Sequence, residues 1–351
     1  MPLLSRDVSV GVLYTEVDPG VQPAVDLAWQ QLVAAGMDSY AFTISWSDLT
    51  DDFGTPDPVA IANLSSTIAQ LNQFGLQIYF GLATIDTNNL QIPAIFLDPN
   101  DARELAPGLS FDSPEVVGSY MNLIDVLMPM LVQNGAFYFS VGNEVDIWLA
   151  PRPDEIAGYT AFAQAARERI HAWEPEMAVG PTMTSEARDK PWIYQPLVAV
   201  SDAVSFTYYP LFGGIVLDPL LAKHEFDALV SMADGKDILM QEVGCPSGPL
   251  FAKSTIFTSY EIQRRWTAAM FQQIRNRPQF RFASYLHVAD WPSEVVAALV
   301  AYYDLDVPEF VEYLSTLGAV RSDGLPKPAY YELLHQISLT ARGRRPERIA
   351  R

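Results

Sequence analysis

The chain has 351 residues, 49% of them hydrophobic and 18% charged, with a formal net charge of −20. That much apolar material builds a large core and excludes a disordered chain, while the negative field excludes nucleic acid and anionic membranes as partners. A single cysteine, Cys245, excludes an intrachain disulfide.

The charge is uneven. Residues 341–351 hold five Arg and one Glu, or +4, so the rest carries −20 − 4 = −24. This basic stretch reads as a solvated, flexible tail beyond one domain over 1–340. The opening Met1-Pro-Leu-Leu-Ser-Arg-Asp7 lacks an apolar signal core, and no run reads as long enough to span a membrane. The compartment, secreted or cytoplasmic, stays open.

Short apolar runs alternate with amphipathic helices. Val8 to Tyr14 reads as the first strand. Pro23 to Ala35 reads as a helix, with Val25, Ala28, Trp29, Leu32 and Val33 on one face and Gly36 past its end. Ser39–Trp46 is the second strand, Val59–Phe74 a helix and Leu76–Ala83 the third strand. A long loop with Asp86, Asn88 and Asn89 follows. Ser113-Pro114-Glu115 starts a helix, with Ser as N-cap and Pro in the first turn. Phe137–Glu144, Met177–Thr182, Asp202–Pro210, Asp237–Glu242 and Phe280–Ala289 complete the strands. Helices are expected over Asp154–Trp173, Lys190–Val200, Leu220–Met232, Ser259–Asn276 and Pro328–Leu339. Strand–helix repeats in one undivided chain predict an α/β fold, a single (β/α)8 TIM barrel. A doubly wound sheet is the alternative, but Tyr14-Thr-Glu-Val-Asp-Pro-Gly20 lacks its Gly-rich phosphate loop.

In such a barrel, chemistry sits at the carboxyl ends of the strands. Phe137-Tyr-Phe-Ser-Val-Gly-Asn-Glu144 stops at an amide and a carboxylate, and Ile238-Leu-Met-Gln-Glu242 stops at a second carboxylate. Two glutamates on such a rim suit glycosidic bond cleavage, where in retaining enzymes the carboxyls stand about 5–5.5 Å apart. The candidate catalytic residues are Glu144, as acid/base, and Glu242, as nucleophile. An ionised Glu242 then favours the protonated form of Glu144. Candidate substrate-binding residues are Asn143, Tyr208, Tyr209, His287, Trp291, Trp46, Trp148 and Asp86, because sugars present apolar C–H faces and hydroxyls. Alternation in Val204-Ser-Phe-Thr-Tyr-Tyr209 puts Ser205, Thr207 and Tyr209 on the barrel face and Val204, Phe206 and Tyr208 on the helix face. Tyr209 is expected to donate to Glu242. Asp146 and Asp290 are rim candidates that read first as ordinary loop acids, Cys245 is structural, and the four scattered His predict no metal site.

Gly142-Asn143-Glu144 and Gln241-Glu242-Val-Gly244, 242 − 144 = 98 residues apart, resemble the strand-four and strand-seven motifs of clan A glycoside hydrolases, the four–seven superfamily. Phe206-Thr-Tyr-Tyr-Pro210 is similar to the strand-six motif of arabinogalactan endo-galactanases and family 1 β-glucosidases. Trp291 resembles the clan's sugar platform, and Leu317-Gly318 through Asp323-Gly-Leu-Pro-Lys-Pro-Ala329 resembles the ends of many such bacterial enzymes. The resemblance implies a retaining β-glycosidase with no cofactor and a carbohydrate partner, a monomer being favoured with the oligomeric state open, and endo action slightly favoured. An exo-acting β-glycosidase or transglycosylase and a non-catalytic carbohydrate-binding barrel are the alternatives. One departure stands out: Ala41 occupies the position of the clan's strand-two arginine, so either Arg6 or another distant arginine substitutes for it, or the nucleophile is less supported, or the family is a divergent one.

Overall fold

The computed structural model describes residues 4, 7–212, 215–248 and 257–343. Its main sheet runs through β1 (Ser9–Val12), β2 (Ser39–Ser45), β3 (Gln77–Ala83), β4 (Ala136–Ser140), β5 (Ala178–Gly180 and Thr182–Thr184), β6 (Val204–Tyr208), β7 (Ile238–Val243) and β8 (Phe280–Tyr285) in chain order, with β8 returning to β1. The pairing is parallel, as in Ser9↔Phe282 and Tyr138↔Ala178. The interruption in β5 falls at Pro181, which has no N–H to give a ladder. This is a (β/α)8 barrel.

The helices are α1 (Gln22–Ala34), α2 (Pro58–Gln73), α3 (Pro114–Gln133), α4 (Val145–Leu149), α5 (Glu155–Trp173), α6 (Pro191–Val200), α7 (Ala222–Met232), α8 (Tyr260–Arg275), α9 (Ser293–Tyr303), α10 (Pro308–Ser315) and α11 (Pro328–Gly343). Helix α1 buries Val25, Ala28, Trp29 and Leu32, one stripe at helical spacing. Ser113 stands at the N-cap of α3, but its hydroxyl accepts from the Ser110 N–H (2.9 Å) instead of capping the helix. Helix α3 has 20 residues and a mean hydropathy of 1.3, long and apolar enough to cross a membrane, contrary to the reading of the bare sequence. In the barrel it buries Val116, Tyr120, Leu123, Ile124, Leu127, Met128 and Leu131.

By contacts the chain forms two compact units. One takes in Tyr40–Thr207 and Leu229–Gln241, hence most of β2, all of β3 to β5 and most of β6 and β7. Here the loop after β3 is ordered as two short ribbons, Ile85–Asp86 with Asn89–Leu90 and Leu97–Asp98 with Asp101–Leu105. The other takes in residues 7–39, Tyr208–Ala228 and the chain from Glu242 on. There, the long stretch after β8 folds into the pair α9 and α10 before α11 returns to pack on α8 and α1. The basic stretch 341–351 lies outside the described residues from 344 on, and Arg6 lies outside them too.

Candidate active site

Glu144 lies four residues past the end of β4. Gly142 makes the turn at φ 126°, and a Cβ there would stand 2.5 Å from Tyr159 Oη and 2.7 Å from Val145 Cγ1, so only glycine fits. Glu144 itself is left-handed, φ 48°, at the N-cap of α4. Its carboxylate accepts from two hydroxyls: Thr207 Oγ1 gives 2.6 Å to Oε1, and Thr87 Oγ1 gives 2.7 Å to Oε2. Asp146, fully buried, accepts from the Thr184 N–H (2.7 Å), Thr184 Oγ1 (2.8 Å) and Lys190 Nζ (3.0 Å), which ties α4 to the end of β5 and the start of α6. Asp146 is a clamp beneath the site, not a rim acid.

Asn143 is 8% exposed and is held at both ends of its amide. Its Nδ2 donates to Asp86 Oδ1 (2.9 Å), and its Oδ1 accepts from Gln241 Nε2 (2.8 Å). Gln241 in turn accepts from Tyr79 Oη (2.9 Å) and Thr182 Oγ1 (2.6 Å), and Tyr79 Oη also meets Ser205 Oγ (2.7 Å). A linked set of buried hydroxyls and amides thus underlies the end of β4. Such networks are rigid when satisfied and costly when broken. Asp86 therefore serves Asn143, and Thr87, Thr207, Gln241 and Tyr79 are contributors that the sequence did not single out. Thr207 had a signal, its place in the alternating inward series. Thr87 had none, being one polar residue in a polar loop.

Glu242 is half-buried at the end of β7. Tyr209 Oη donates to its Oε2 at 2.6 Å. Gly244 closes in behind, where a Cβ would lie 3.1 Å from Tyr209 Cε1 and 3.0 Å from the Leu286 carbonyl. The residue preceding Tyr209, the last of β6, turns the other way. Tyr208 is 1% exposed, with its ring 5.3 Å from Phe226 and 6.1 Å from Trp266. Strand alternation sends it into the helix layer, so it is removed from the substrate-binding set.

Two tryptophans are removed with it. Trp46, with 0% exposure, packs on Tyr120 (4.9 Å) and Phe96 (5.8 Å). Trp148, 1% exposed, donates from Nε1 to the Arg103 carbonyl (2.8 Å) and carries the Arg152 guanidinium 4.4 Å over its ring. Both are core and loop anchors, because a large ring near a strand end finds apolar neighbours before it finds solvent.

After β8, Trp291 is half-buried and stacks on His287 at 4.1 Å. His287 is fully buried, with Nδ1 3.1 Å from Thr15 Oγ1 and no partner at Nε2 among the described residues. Burial, aided by the charge of Lys327, pushes its pKa down to about 3, so the ring is neutral. Asp290, beside it, forms a buried ion pair with Lys327 Nζ (2.7 Å), which also donates to Ser247 Oγ (2.9 Å). Burial raises the Asp290 carboxyl to about 6 against the pull of Lys327. The pair joins the segments after β7 and β8 to the chain end. Cys245 is buried and its thiol is pushed well up by burial, which leaves it unreactive. No group of acidic, His or Cys side chains among the described residues has the geometry of a metal site.

No known family's sequence profile matches the chain, and no well-characterised protein matches it by sequence. Solved structures do resemble it. The GH5_18 protein from Streptomyces cattleya, in complex with GlcNAc, has a TM-score of 0.72 at 17% identity, covering 97% of this chain and 82% of that one. The exo-beta-1,4-mannosidase Op5Man5 from Opitutaceae bacterium strain TAV5 has a TM-score of 0.70 at 16% identity, covering 96% of this chain and 60% of its own. The beta-glycosidase BGL167 has 0.66 at 13%, covering 99% and 100%. At these identities the likeness is one of fold, and it agrees with the barrel.

Proposed function

We propose that the chain is a retaining glycoside hydrolase acting on β-linked oligo- or polysaccharide, with Glu144 as acid/base and Glu242 as nucleophile, in a catalytic barrel spanning 1–340. One observation carries the reading: a glutamate stands four residues past β4 and another at the penultimate position of β7, and each is oriented by hydroxyl donors, Thr207 and Thr87 on Glu144 and Tyr209 on Glu242. The printed names of two structural neighbours, an exo-beta-1,4-mannosidase and a beta-glycosidase, agree with it.

In the first step Glu144 protonates the departing glycosidic oxygen while Glu242 attacks the anomeric carbon, giving a glycosyl ester. In the second, Glu144 takes a proton from a water whose oxygen attacks the anomeric carbon; the ester bond to Glu242 breaks, and the sugar leaves with its configuration kept. The hydroxyls of Thr87 and Thr207 rotate between donating and accepting, so they follow Glu144 through both protonation states. Tyr209 fixes the rotation of the nucleophile, and Asn143, with one amide hydrogen on Asp86, offers the other to a sugar hydroxyl. Trp291, stacked on a neutral His287, supplies the platform under the sugar ring. The chain acts with no cofactor.

Endo action is favoured, since the stretches after β3 and β8 are ordered additions, ribbons in one case and helices in the other. A neighbour named as an exo-mannosidase supports the second reading, an exo-acting β-glycosidase with the same residues. A panel of β-glucan, galactan, mannan and xylan with the matching 4-nitrophenyl β-glycosides separates these. Cutting within polymers supports endo action. Release of single sugars from one end supports the exo reading. Glycan binding with no turnover by the wild type would overturn the catalytic reading altogether.

A further inference from the structure

A file of aromatic rings leads away from the nucleophile. The Tyr209 ring, whose hydroxyl holds Glu242, meets Tyr313 edge-on at 5.3 Å. Tyr313 stacks on Phe310 at 6.1 Å, Phe310 meets Tyr303 at 5.9 Å, and Tyr303 meets Tyr302 at 4.8 Å. The last four rings come from α9 and α10, the pair inserted between β8 and α11. All five are half-buried, neither enclosed nor fully in solvent. A helix that serves the core buries a whole apolar stripe. Helix α9, Ser-Glu-Val-Val-Ala-Ala-Leu-Val-Ala-Tyr-Tyr, buries only Val296. Its two aromatic side chains, Tyr302 and Tyr303, stay partly exposed.

We propose that Tyr313, Phe310, Tyr303 and Tyr302 form a further sugar-binding subsite, which takes units of a β-linked glycan beyond the one engaged at Glu242. The proposal rests on the glycosidase reading above and adds the substrate class, an extended chain. Half-exposed rings offer flat apolar faces to pyranose C–H groups, and the tyrosines add hydroxyls for the sugar's own. Continuity favours a glycan over a protein partner, because the file begins at the residue that holds the nucleophile.

The test compares wild type with Tyr303→Ala, Phe310→Ala and the bulk-preserving Tyr303→Leu on two substrates of one sugar: the 4-nitrophenyl β-glycoside and the disaccharide-to-hexasaccharide series. The expected result is an aryl glycoside rate within about twofold of wild type, which also reports folding, and about a tenfold fall in kcat/KM on the longest oligomers, carried by KM. Calorimetry of the hexasaccharide on Glu144→Gln, with and without Tyr303→Leu, reads the subsite without turnover, and a weaker Kd in the double variant is expected. Equal losses on short and long substrates, or unchanged oligosaccharide affinity, would overturn the subsite. A wild type that hydrolyses nothing, yet binds the hexasaccharide in a Tyr303-dependent way, would overturn the catalytic reading and leave the subsite standing.

Discussion

Thr87 Oγ1 donates a 2.7 Å hydrogen bond to Glu144 Oε2, and both residues hold left-handed backbones, at φ 56° and 48°. Thr87 is the first turn residue of the ribbon that pairs Asp86 with Asn89, where short hairpins favour glycine. A β-branched side chain there costs roughly 1–3 kcal/mol. The hydroxyl on Glu144 is what that conformation yields. Replacing Thr87 with Gly relieves the backbone and removes the bond. Thr87→Gly is expected to equal or exceed wild type in urea stability while losing about tenfold in kcat. A loss of stability without a loss of kcat would show that Thr87 serves only the loop.

Gly142 sets the direction of Glu144. Gly142→Ala puts a methyl within 2.5 Å of Tyr159 Oη at φ 126°, where an L side chain is strained in any case. A destabilisation of about 2–3 kcal/mol is expected, with activity falling further than stability alone explains. Urea unfolding and kcat on the same preparation read both.

Trp46 and Trp291 separate by role. Trp46→Ala leaves a cavity among Tyr120, Phe96 and Phe162 and is expected to cost about 3–5 kcal/mol of stability. Trp291→Ala, half-exposed, is expected to leave stability within about 1 kcal/mol and to raise KM severalfold. Thermal unfolding alongside kinetics checks the contrast.

His287 makes stability depend on pH. Its folded pKa of about 3 lies below the ordinary 6.5, so below pH 6.5 the unfolded chain binds a proton that the folded one refuses. Its contribution is complete above pH 6.5 and is lost as pH falls toward 3. From pH 6.5 to 4.5, two units, that amounts to roughly 2–3 kcal/mol. Asp290, raised to about 6, works in the opposite sense as pH falls from 6 to 4. His287→Gln is therefore expected to flatten the acid side of a stability–pH curve, and in Asp290→Asn that side steepens. A curve unchanged by His287→Gln would contradict the burial argument.

The strands and the two glutamates were legible because buried strands carry apolar runs that stop abruptly, and Asn143-Glu144 and Gln241-Glu242 are such stops. Alternation also separated Tyr209, on Glu242, from Tyr208, in the helix layer. Trp46 was misleading, since a strand-terminal tryptophan reads alike whether it faces solvent or Tyr120. Helix α9 was hidden for a physical reason: it is apolar on nearly every side and has no amphipathic period to detect. Thr87, Lys327 and Asp146 act through contacts with residues 57, 37 and 44 positions away, distances that local pattern does not encode.

The central claim is that Glu144 and Glu242 are acid/base and nucleophile on one glycosidic bond. It is tested most directly by azide rescue of Glu144→Ala and Glu242→Ala on an activated 4-nitrophenyl β-glycoside, with the anomeric configuration of the glycosyl azide read by NMR. A β-azide is expected from Glu144→Ala, formed by attack on the glycosyl ester, and an α-azide from Glu242→Ala, formed by direct attack in the emptied nucleophile position. Full activity in either variant without azide, or the two configurations exchanged, would contradict it.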